Sequence, residues 1–166
     1  MLALFDRRVF VIDIDIPGRG LLRLHQVVCD YNGTIALDGR LLDGVAERIE
    51  KLAESVQVSV LTADTFGTVR AQCEGLPVDV RVFPRDDASA CKAAIVRELG
   101  ASGCVCVGNG FNDIAMFDEA ALSLAVIGGE GACAKLALHA DVLLTSPLDA
   151  FDLLLHPDRL RATLRG

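Results

Sequence analysis

One stretch decides the fold of this chain: it runs from Val27 to Thr34 and reads VVCDYNGT. Its first three residues are apolar and suit a buried β-strand, and Asp30 follows them directly, ahead of a turn at Gly33. Parallel sheets bind ligands at the carboxyl edge of their strands. A carboxylate withdrawn from water there must be paired, hydrogen-bonded or bound to a metal. Asp30 is therefore a candidate nucleophile or metal ligand, and the alternative is a turn aspartate that caps the following backbone.

The regions around this stretch predict an α/β fold, because apolar strand-like runs alternate with amphipathic helical stretches. Strands are expected at residues 9–16, 22–30, 57–61, 78–83, 103–107, 122–127 and 141–144. Helices are expected at residues 42–55, 65–74, 88–99, 112–120, 130–138 and 148–155. A turn at residues 17–20 indicates that the first two strands form a hairpin.

These elements predict a Rossmann-like three-layer sandwich with a mostly parallel central sheet, an N-terminal β-hairpin and no cap domain. We expect a single domain over residues 1–166. Within it, residues 1–24 form the hairpin extension, residues 25–146 the motif-bearing core, and residues 147–166 a C-terminal helix and tail.

The composition narrows the function classes. The chain has 16 basic and 23 acidic residues, and its formal charge of −7 disfavours binding to nucleic acid or to an anionic membrane surface. No apolar run approaches the ~20 residues that span a bilayer, and the charges near the N-terminus do not fit a signal peptide. The six cysteines are scattered through apolar segments, which is typical of reduced core residues. We therefore expect a cytoplasmic protein.

Three further segments supply chemistry that complements Asp30. They are Thr62-Ala63-Asp64 after a strand, Lys92 within a helix, and Gly108-Asn109-Gly110-Phe111-Asn112-Asp113 after another strand. Phosphoryl transfer uses such a set. A carboxylate attacks phosphorus, Mg²⁺ held by oxygen ligands screens the repulsion, and a hydroxyl and an ammonium stabilise the equatorial oxygens.

The four segments resemble, in order, the four motifs of the haloacid dehalogenase superfamily, Rossmann-like phosphohydrolases that work through an aspartyl-phosphate. The resemblance implies that Asp30 is the nucleophile and that Thr62 and Lys92 bind the phosphoryl group. It implies a wider phosphate-binding set of Gly33, Thr34, Thr62, Ala63, Lys92 and Asn112. It also implies Mg²⁺ ligands from Asp30, the carbonyl of Asn32, Asn109 and Asp113.

More narrowly, the chain is similar to soluble proteins that look like detached phosphorylation domains of P-type cation ATPases. Two residues depart from the usual superfamily pattern. Asn32 stands where most phosphatases have an aspartate that acts as general acid and base, and an amide cannot transfer a proton at neutral pH. Asn109 stands where a metal-ligating aspartate is usual, which removes one negative charge. Both changes favour slow turnover.

The spacing between the motifs leaves no room for a cap domain. Only 27 residues separate Thr34 from Thr62, and 29 separate Thr62 from Lys92, so each gap holds one helix and one strand. An uncapped site favours a macromolecular substrate, a homo-oligomer that covers the site, or another interaction partner. A small phosphorylated molecule is the alternative class of substrate that the sequence leaves open.

Several residues have simpler interpretations. Lys92 could be a solvated surface charge, Asp64 could cap the next helix, and Asn112 with Asp113 could be a helix cap. The leading hypothesis is a Mg²⁺-dependent phosphohydrolase or phosphotransferase. The alternatives are a regulatory module that binds phosphate or a phosphoryl group but scarcely releases it, and an inert scaffold that binds no Mg²⁺.

Overall fold

The computed structural model describes residues 11–64 and 67–166. Its ten strands are β1 (Ile12–Ile16), β2 (Gly20–Leu24), β3 (Gln26–Asp30), β4 (Ala36–Leu37), β5 (Arg40–Leu41), β6 (Gln57–Thr62), β7 (Asp79–Val82), β8 (Cys104–Gly108), β9 (Leu122–Val126) and β10 (Val142–Leu144). Its six α-helices are α1 (Val45–Ala53), α2 (Val69–Gln72), α3 (Ala88–Leu99), α4 (Ile114–Glu119), α5 (Pro147–Leu155) and α6 (Pro157–Leu164). Short 3₁₀ turns connect several of them.

Six strands form one central sheet in the order β10-β9-β8-β3-β6-β7, and all of its neighbouring pairs are parallel. The chain progresses outward from β3 in one direction through β6 and β7, and in the other through β8, β9 and β10. The strand order therefore reverses between β3 and β8. Ligands of such sheets bind at the carboxyl ends of strands on either side of this reversal.

Helices cover both faces of the sheet, because the side chains of each strand alternate between two apolar cores. Val27 and Cys29 of β3 pack into the core that includes the buried residues of α1 and α5, whereas Val28 packs into the core under α3 and α4. The three-layer sandwich with a mostly parallel sheet is confirmed.

The N-terminal hairpin is also confirmed: β1 and β2 pair antiparallel in a separate two-stranded sheet. The expected first strand began at residue 9, and its first two residues lie outside the described ones. The expected strand over residues 22–30 is two strands, because the chain leaves the hairpin at His25, whose N–H donates to the carbonyl of Gly103 at 2.9 Å. Arg19 pairs with Asp141 just before β10. The hairpin therefore lies at the amino-terminal edge of the sheet, opposite Asp30.

Three helix predictions need correction. The helix expected over residues 130–138 is absent: a turn over residues 128–131 is followed by a 3₁₀ segment, Ala134–His139. The helix expected over 112–120 begins as a 3₁₀ turn, Phe111–Asp113, before α4. A second C-terminal helix, α6, follows α5 where a tail was expected, and Pro157 at its start separates the two.

The helix expected over residues 65–74 is the short α2, and its first two expected residues lie outside the described ones. The small hairpin of β4 and β5 directly after Gly33 was not predicted. Within residues 11–64 and 67–166, no helix combines the length and the apolar character needed to cross a bilayer.

Candidate active site

Asp30 ends β3, the strand beside the reversal of the sheet, and it is 8% exposed. Both of its carboxylate oxygens are engaged. Oδ1 accepts a hydrogen bond from Lys92 Nζ at 2.7 Å, and Oδ2 accepts one from the Thr34 hydroxyl at 2.9 Å. The neighbouring side chains thus hold the carboxylate in one orientation at the edge where parallel sheets bind ligands.

Lys92 is buried, which excludes the interpretation as a solvated surface charge. Its ammonium donates to Asp30 Oδ1 at 2.7 Å, to Asp113 Oδ1 at 2.7 Å and to Asn112 Oδ1 at 2.9 Å, so all three N–H groups are used. Burial acts to lower the pKa of Lys92, but the charges of Asp30 and Asp113 outweigh it and raise that pKa above its ordinary value. The ammonium therefore stays protonated.

Asp113 is fully buried and fixes the loop after β8. Its Oδ1 accepts from Lys92, and its Oδ2 accepts the backbone N–H groups of Asn109 at 3.0 Å and Gly110 at 2.9 Å. Burial, reinforced by the charge of Asp30, raises the pKa of Asp113 to about 6 against the opposing effect of Lys92. These contacts orient both Lys92 and the loop.

The second motif lies at the end of β6, next to β3. The hydroxyl oxygen of Thr62 accepts the N–H of Asp64 at 2.8 Å, which leaves the hydroxyl hydrogen free to donate. Asp64 Oδ1 accepts the N–H of Val69 at 3.3 Å, the first residue of α2. Asp64 therefore makes the helix-capping contact that its position suggested.

The first motif continues into a small hairpin. Oδ1 of Asn32 accepts the N–H of Gly39 at 3.1 Å, and the Tyr31 hydroxyl donates to the carbonyl of Gly39 at 3.0 Å. Asp38 and Gly39 both have positive φ, 49° and 80°, as a two-residue type I′ turn requires. The side chain of Asn32 thus anchors the β4–β5 hairpin beside the site.

Asn109 lies at the end of β8, across the reversal from Asp30, and is 8% exposed. Its Oδ1 is 3.1 Å from the Thr34 hydroxyl, and its Nδ2 donates to the carbonyl of Gly131 at 3.1 Å. Thr34 therefore connects the nucleophile candidate to the fourth motif.

A cavity of about 270 Å³ opens over these residues. Of the predicted site residues, it is lined by Asp30, Asn32, Thr62, Ala63, Lys92, Asn109 and Asn112. Gly33, Thr34 and Asp113 do not line it and lie behind or beside that surface.

Five further lining residues were not assigned to the site from the sequence: Phe83, Arg85, Ala88, Glu130 and Gly110, the last of which lies within the fourth motif. Phe83 and Arg85 lie between β7 and α3, Ala88 is the first residue of α3, and Glu130 follows β9. All of them follow parallel strands at the same edge, and that position was the signal that could have found them.

The donor set around the cavity consists of hard oxygen atoms of the kind that Mg²⁺ prefers. Asp30 offers a carboxylate and Asn109 an amide oxygen. The carbonyl of Asn32 accepts no backbone N–H from the residues that the structure describes. These three residues fit a magnesium ion. Asp113 does not face the cavity, so it fits better as a group that positions Lys92 and the loop.

No family model matches the chain. It is 44% identical over 61 residues to an uncharacterized protein of Methanocaldococcus jannaschii, a match that spans 37% of this chain and 66% of that protein. A second uncharacterized protein of the same organism is 46% identical over 39 residues, spanning 24% of this chain and 89% of that protein.

Solved structures share the fold at low sequence identity. The 3-deoxy-D-manno-octulosonate 8-phosphate phosphatase of Moraxella catarrhalis, in complex with magnesium, phosphate and KDO, has a TM-score of 0.62 at 17% identity, covering 86% of this chain and 94% of that one. The cobalt-bound phosphatase of the same specificity from Haemophilus influenzae has a TM-score of 0.66 at 15% identity, with the same coverage.

A putative hydrolase of the haloacid dehalogenase family from Streptomyces avermitilis has a TM-score of 0.62 at 20% identity, covering 79% of this chain and 82% of that one. The described residues contain no cap over the cavity. The chain therefore belongs to one family with the second of the two M. jannaschii proteins, and it shares its fold with these solved phosphatase and hydrolase structures.

Proposed function

We propose that this protein is a Mg²⁺-dependent phosphohydrolase or phosphotransferase that works through a phosphorylated Asp30. The observation that carries the proposal is the placement of Asp30. Its carboxylate ends the central strand, borders the cavity, and lies 2.7 Å from a buried ammonium. A carboxylate held this way is oriented for in-line attack on a phosphoryl group.

The proposed reaction uses groups of this chain for each task. An oxygen of Asp30 forms a bond to phosphorus while the bond from phosphorus to the leaving oxygen breaks. That oxygen takes a proton from solvent, because the amide of Asn32 cannot transfer a proton at neutral pH. Water, or an acceptor hydroxyl, then attacks the phosphorus while the bond from phosphorus to the Asp30 oxygen breaks, and the attacking group gives its proton to solvent.

Thr62 and Lys92 bind the equatorial oxygens in this proposal. The free hydroxyl hydrogen of Thr62 can donate to one of them. Lys92 can donate to another in place of Asn112, which is the exposed member of its three partners. Both contacts strengthen as negative charge develops on these oxygens, so they stabilise the transition state.

Magnesium is the proposed cofactor, and when bound it screens the repulsion between the carboxylate and the phosphoryl group. Asp30, Asn109 and the carbonyl of Asn32 would hold it. The magnesium and phosphate in the M. catarrhalis phosphatase support this proposal.

The two asparagines favour a second candidate, a regulatory module that takes up a phosphoryl group and releases it very slowly. In the structure the Asn32 side chain is committed to the hairpin through Gly39, and no carboxylate stands at that position. Comparing trapped phospho-Asp30 with steady-state phosphate release separates the two candidates, because only the enzyme turns over repeatedly.

The substrate is proposed to be a phosphorylated molecule, small or macromolecular, and the uncovered cavity leaves room for a homo-oligomer to close the site. All six cysteines are unpaired, which supports a reducing cytoplasmic location.

A phosphate-release screen over many phosphorylated metabolites, with Mg²⁺ or with EDTA, tests the proposal. We expect release from some of them that requires Mg²⁺ and is lost in Asp30→Asn. Release that persists in EDTA, or in the folded variant, would contradict the proposed function.

A further inference from the structure

The turn after β9 places a glutamate over the first motif. The turn closes through the N–H of Gly131, which donates to the carbonyl of Gly128 at 2.9 Å, and Glu130 lies at its tip. Asn109 fixes the C-terminal end of this turn, since its Nδ2 donates to the carbonyl of Gly131 and its carbonyl accepts the N–H of Cys133 at 2.8 Å. The position of Glu130 is therefore tied to the residue that departs from the usual metal ligand.

The carboxylate of Glu130 and the amide of Asn109 both lie close to Gly33. A methyl group added at Gly33 would come within 2.5 Å of Glu130 Oε2 and 2.6 Å of Asn109 Nδ2. The two side-chain atoms are thus at most about 5 Å apart. Glu130 also lines the cavity with Asp30 and Asn32.

The cavity is short of negative charge for a divalent cation. Of the carboxylates of the motifs, only Asp30 faces it, and Lys92 already compensates that charge. Asp113 is buried behind Lys92. Glu130 forms no ion pair or hydrogen bond with the residues that the structure describes, so its charge is available. Affinity for a hard cation rises with the number of charged ligands.

We infer that Glu130 supplies the negative charge that Asn109 withholds from the magnesium site, and that it acts through an intervening water. Among the described residues, no group of three His, Cys, Asp or Glu side chains is placed to hold a metal ion, which agrees with contact between Glu130 and the ion through water. Residues that contact a metal ion only through its direct ligands or bound water typically change the metal affinity by about 10- to 100-fold when they are mutated. This inference rests on the proposed function, because it presumes that the site takes Mg²⁺.

The test is a calorimetric titration of the protein with Mg²⁺ alone, without any phosphorylated ligand. Glu130→Gln removes the charge and keeps the shape, and we expect Mg²⁺ binding to weaken by about 10-fold or more. Glu130→Asp keeps the charge and should stay close to the wild type. Glu54→Gln, an exposed residue just after α1 at the opposite edge of the sheet, controls for the loss of one charge from the whole molecule.

A double variant moves the charge instead of removing it. Asn109→Asp combined with Glu130→Gln should bind Mg²⁺ within about 3-fold of the wild type or more tightly, because a carboxylate then stands at the direct-ligand position. A double variant as weak as Glu130→Gln alone would contradict the idea of compensation between the two positions.

Two negative results have different meanings. If the wild type binds Mg²⁺ and folded Glu130→Gln binds it equally well, the inference is wrong and the proposed function stands. If the wild type shows no Mg²⁺ binding at all, the metal-dependent function itself is wrong, and the inference is wrong with it.

Discussion

At the level of single residues, the site is a buried chain of charges that alternates in sign. Asp30, Lys92 and Asp113 contact one another in that order at 2.7 Å. Breaking such a cluster leaves an uncompensated buried charge, which is strongly destabilising. Each of the three residues therefore stabilises the fold in addition to its proposed role in the chemistry, and variants must be checked for folding before activity is interpreted.

The raised pKa of Asp113 has a consequence that can be measured without a substrate. The pKa in the folded state, about 6, lies above the ordinary value of 3.8, so the folded protein binds this proton more tightly than the unfolded chain does. The contribution of Asp113 to stability is therefore present in full at low pH and is lost as the pH rises through about 6. Carboxyl-carbon NMR of the metal-free protein should show a midpoint near pH 6 that is absent in Asp113→Asn. A midpoint near 4 would be inconsistent with this cluster.

If Asp30 is phosphorylated as proposed, we expect Asn32 to limit how fast the phospho-aspartate hydrolyses. Asn32→Asp adds an acid and base at the position where most of the superfamily has one, and general acid–base assistance is typically worth ~100-fold or more. The contact with the Gly39 N–H should survive, because a carboxylate accepts it as well as an amide does. We expect faster dephosphorylation and less accumulated phospho-Asp30 in rapid-quench measurements. An intermediate that lives equally long in the variant would show that geometry or water access sets the rate.

At the level of elements, the ends of the parallel strands bring the motifs together. Asp30 is the last residue of β3, Thr62 is the last residue of β6, and Asn109 directly follows β8. Lys92 lies in α3 and reaches the site from that helix. Gly108 allows the close approach at the end of β8, since an added methyl group would lie 2.5 Å from Asp113 Oδ2 and 2.9 Å from its Cβ.

Gly108→Ala should therefore displace Asp113 and, through it, Lys92. Forcing an extra methyl group into a packed site costs about 1–3 kcal/mol, and we expect this loss in urea unfolding together with a fall in phosphate release. Gly128→Ala is the matched control, because its nearest contact would be an ordinary 3.5 Å. Equal stability of Gly108→Ala and Gly128→Ala would mean that the approach is less tight than the structure has it.

The strands of the central sheet could be predicted from the sequence because each is an apolar run that ends in a turn. The β4–β5 hairpin was missed although Asp38-Gly39 is a strong type I′ turn signal; its strands are only two residues long and lack a visible alternation. The helix expected over residues 130–138 was wrong because the turn at Gly128–Gly131 and its bonds to Asn109 override a weak local helical pattern.

The candidate site could be predicted from the sequence only where motifs mark it. Asp30, Thr62, Lys92 and Asn109 stand in four recognisable segments, and the structure brings all four to one cavity. Glu130 and Arg85 belong to no motif, and their position depends on loop geometry that spacing does not encode. The burial of Asp113 could not be predicted from the sequence either, because aspartates at the start of a helix are usually exposed.

At the level of the whole molecule, the described residues leave the site open. The N-terminal hairpin packs at the opposite edge of the sheet, so it cannot take the place of a cap. The short gaps between motifs predicted this arrangement. Access to Asp30 is therefore restricted by the residues that line the cavity, including those of the loops after β7 and β9.

Whether this architecture works as a phosphoryl-transfer site depends on Asp30 becoming phosphorylated. The measurement is acid-quench labelling with ³²P-acetyl phosphate, used as a small phosphoryl donor, followed by mapping of the labelled peptide. We expect Mg²⁺-dependent label on the peptide that contains Asp30, no label in EDTA, and none in Asp30→Asn.

Steady-state phosphate release is measured on the same samples. Because Asp30 is the carboxylate that Lys92 and Thr34 hold in one orientation at the cavity, we expect Asp30→Asn to lower release by at least ~100-fold while the circular dichroism spectrum stays unchanged. Wild-type rates of release from folded Asp30→Asn, or label on a different residue of the wild type, would contradict the phospho-aspartate mechanism.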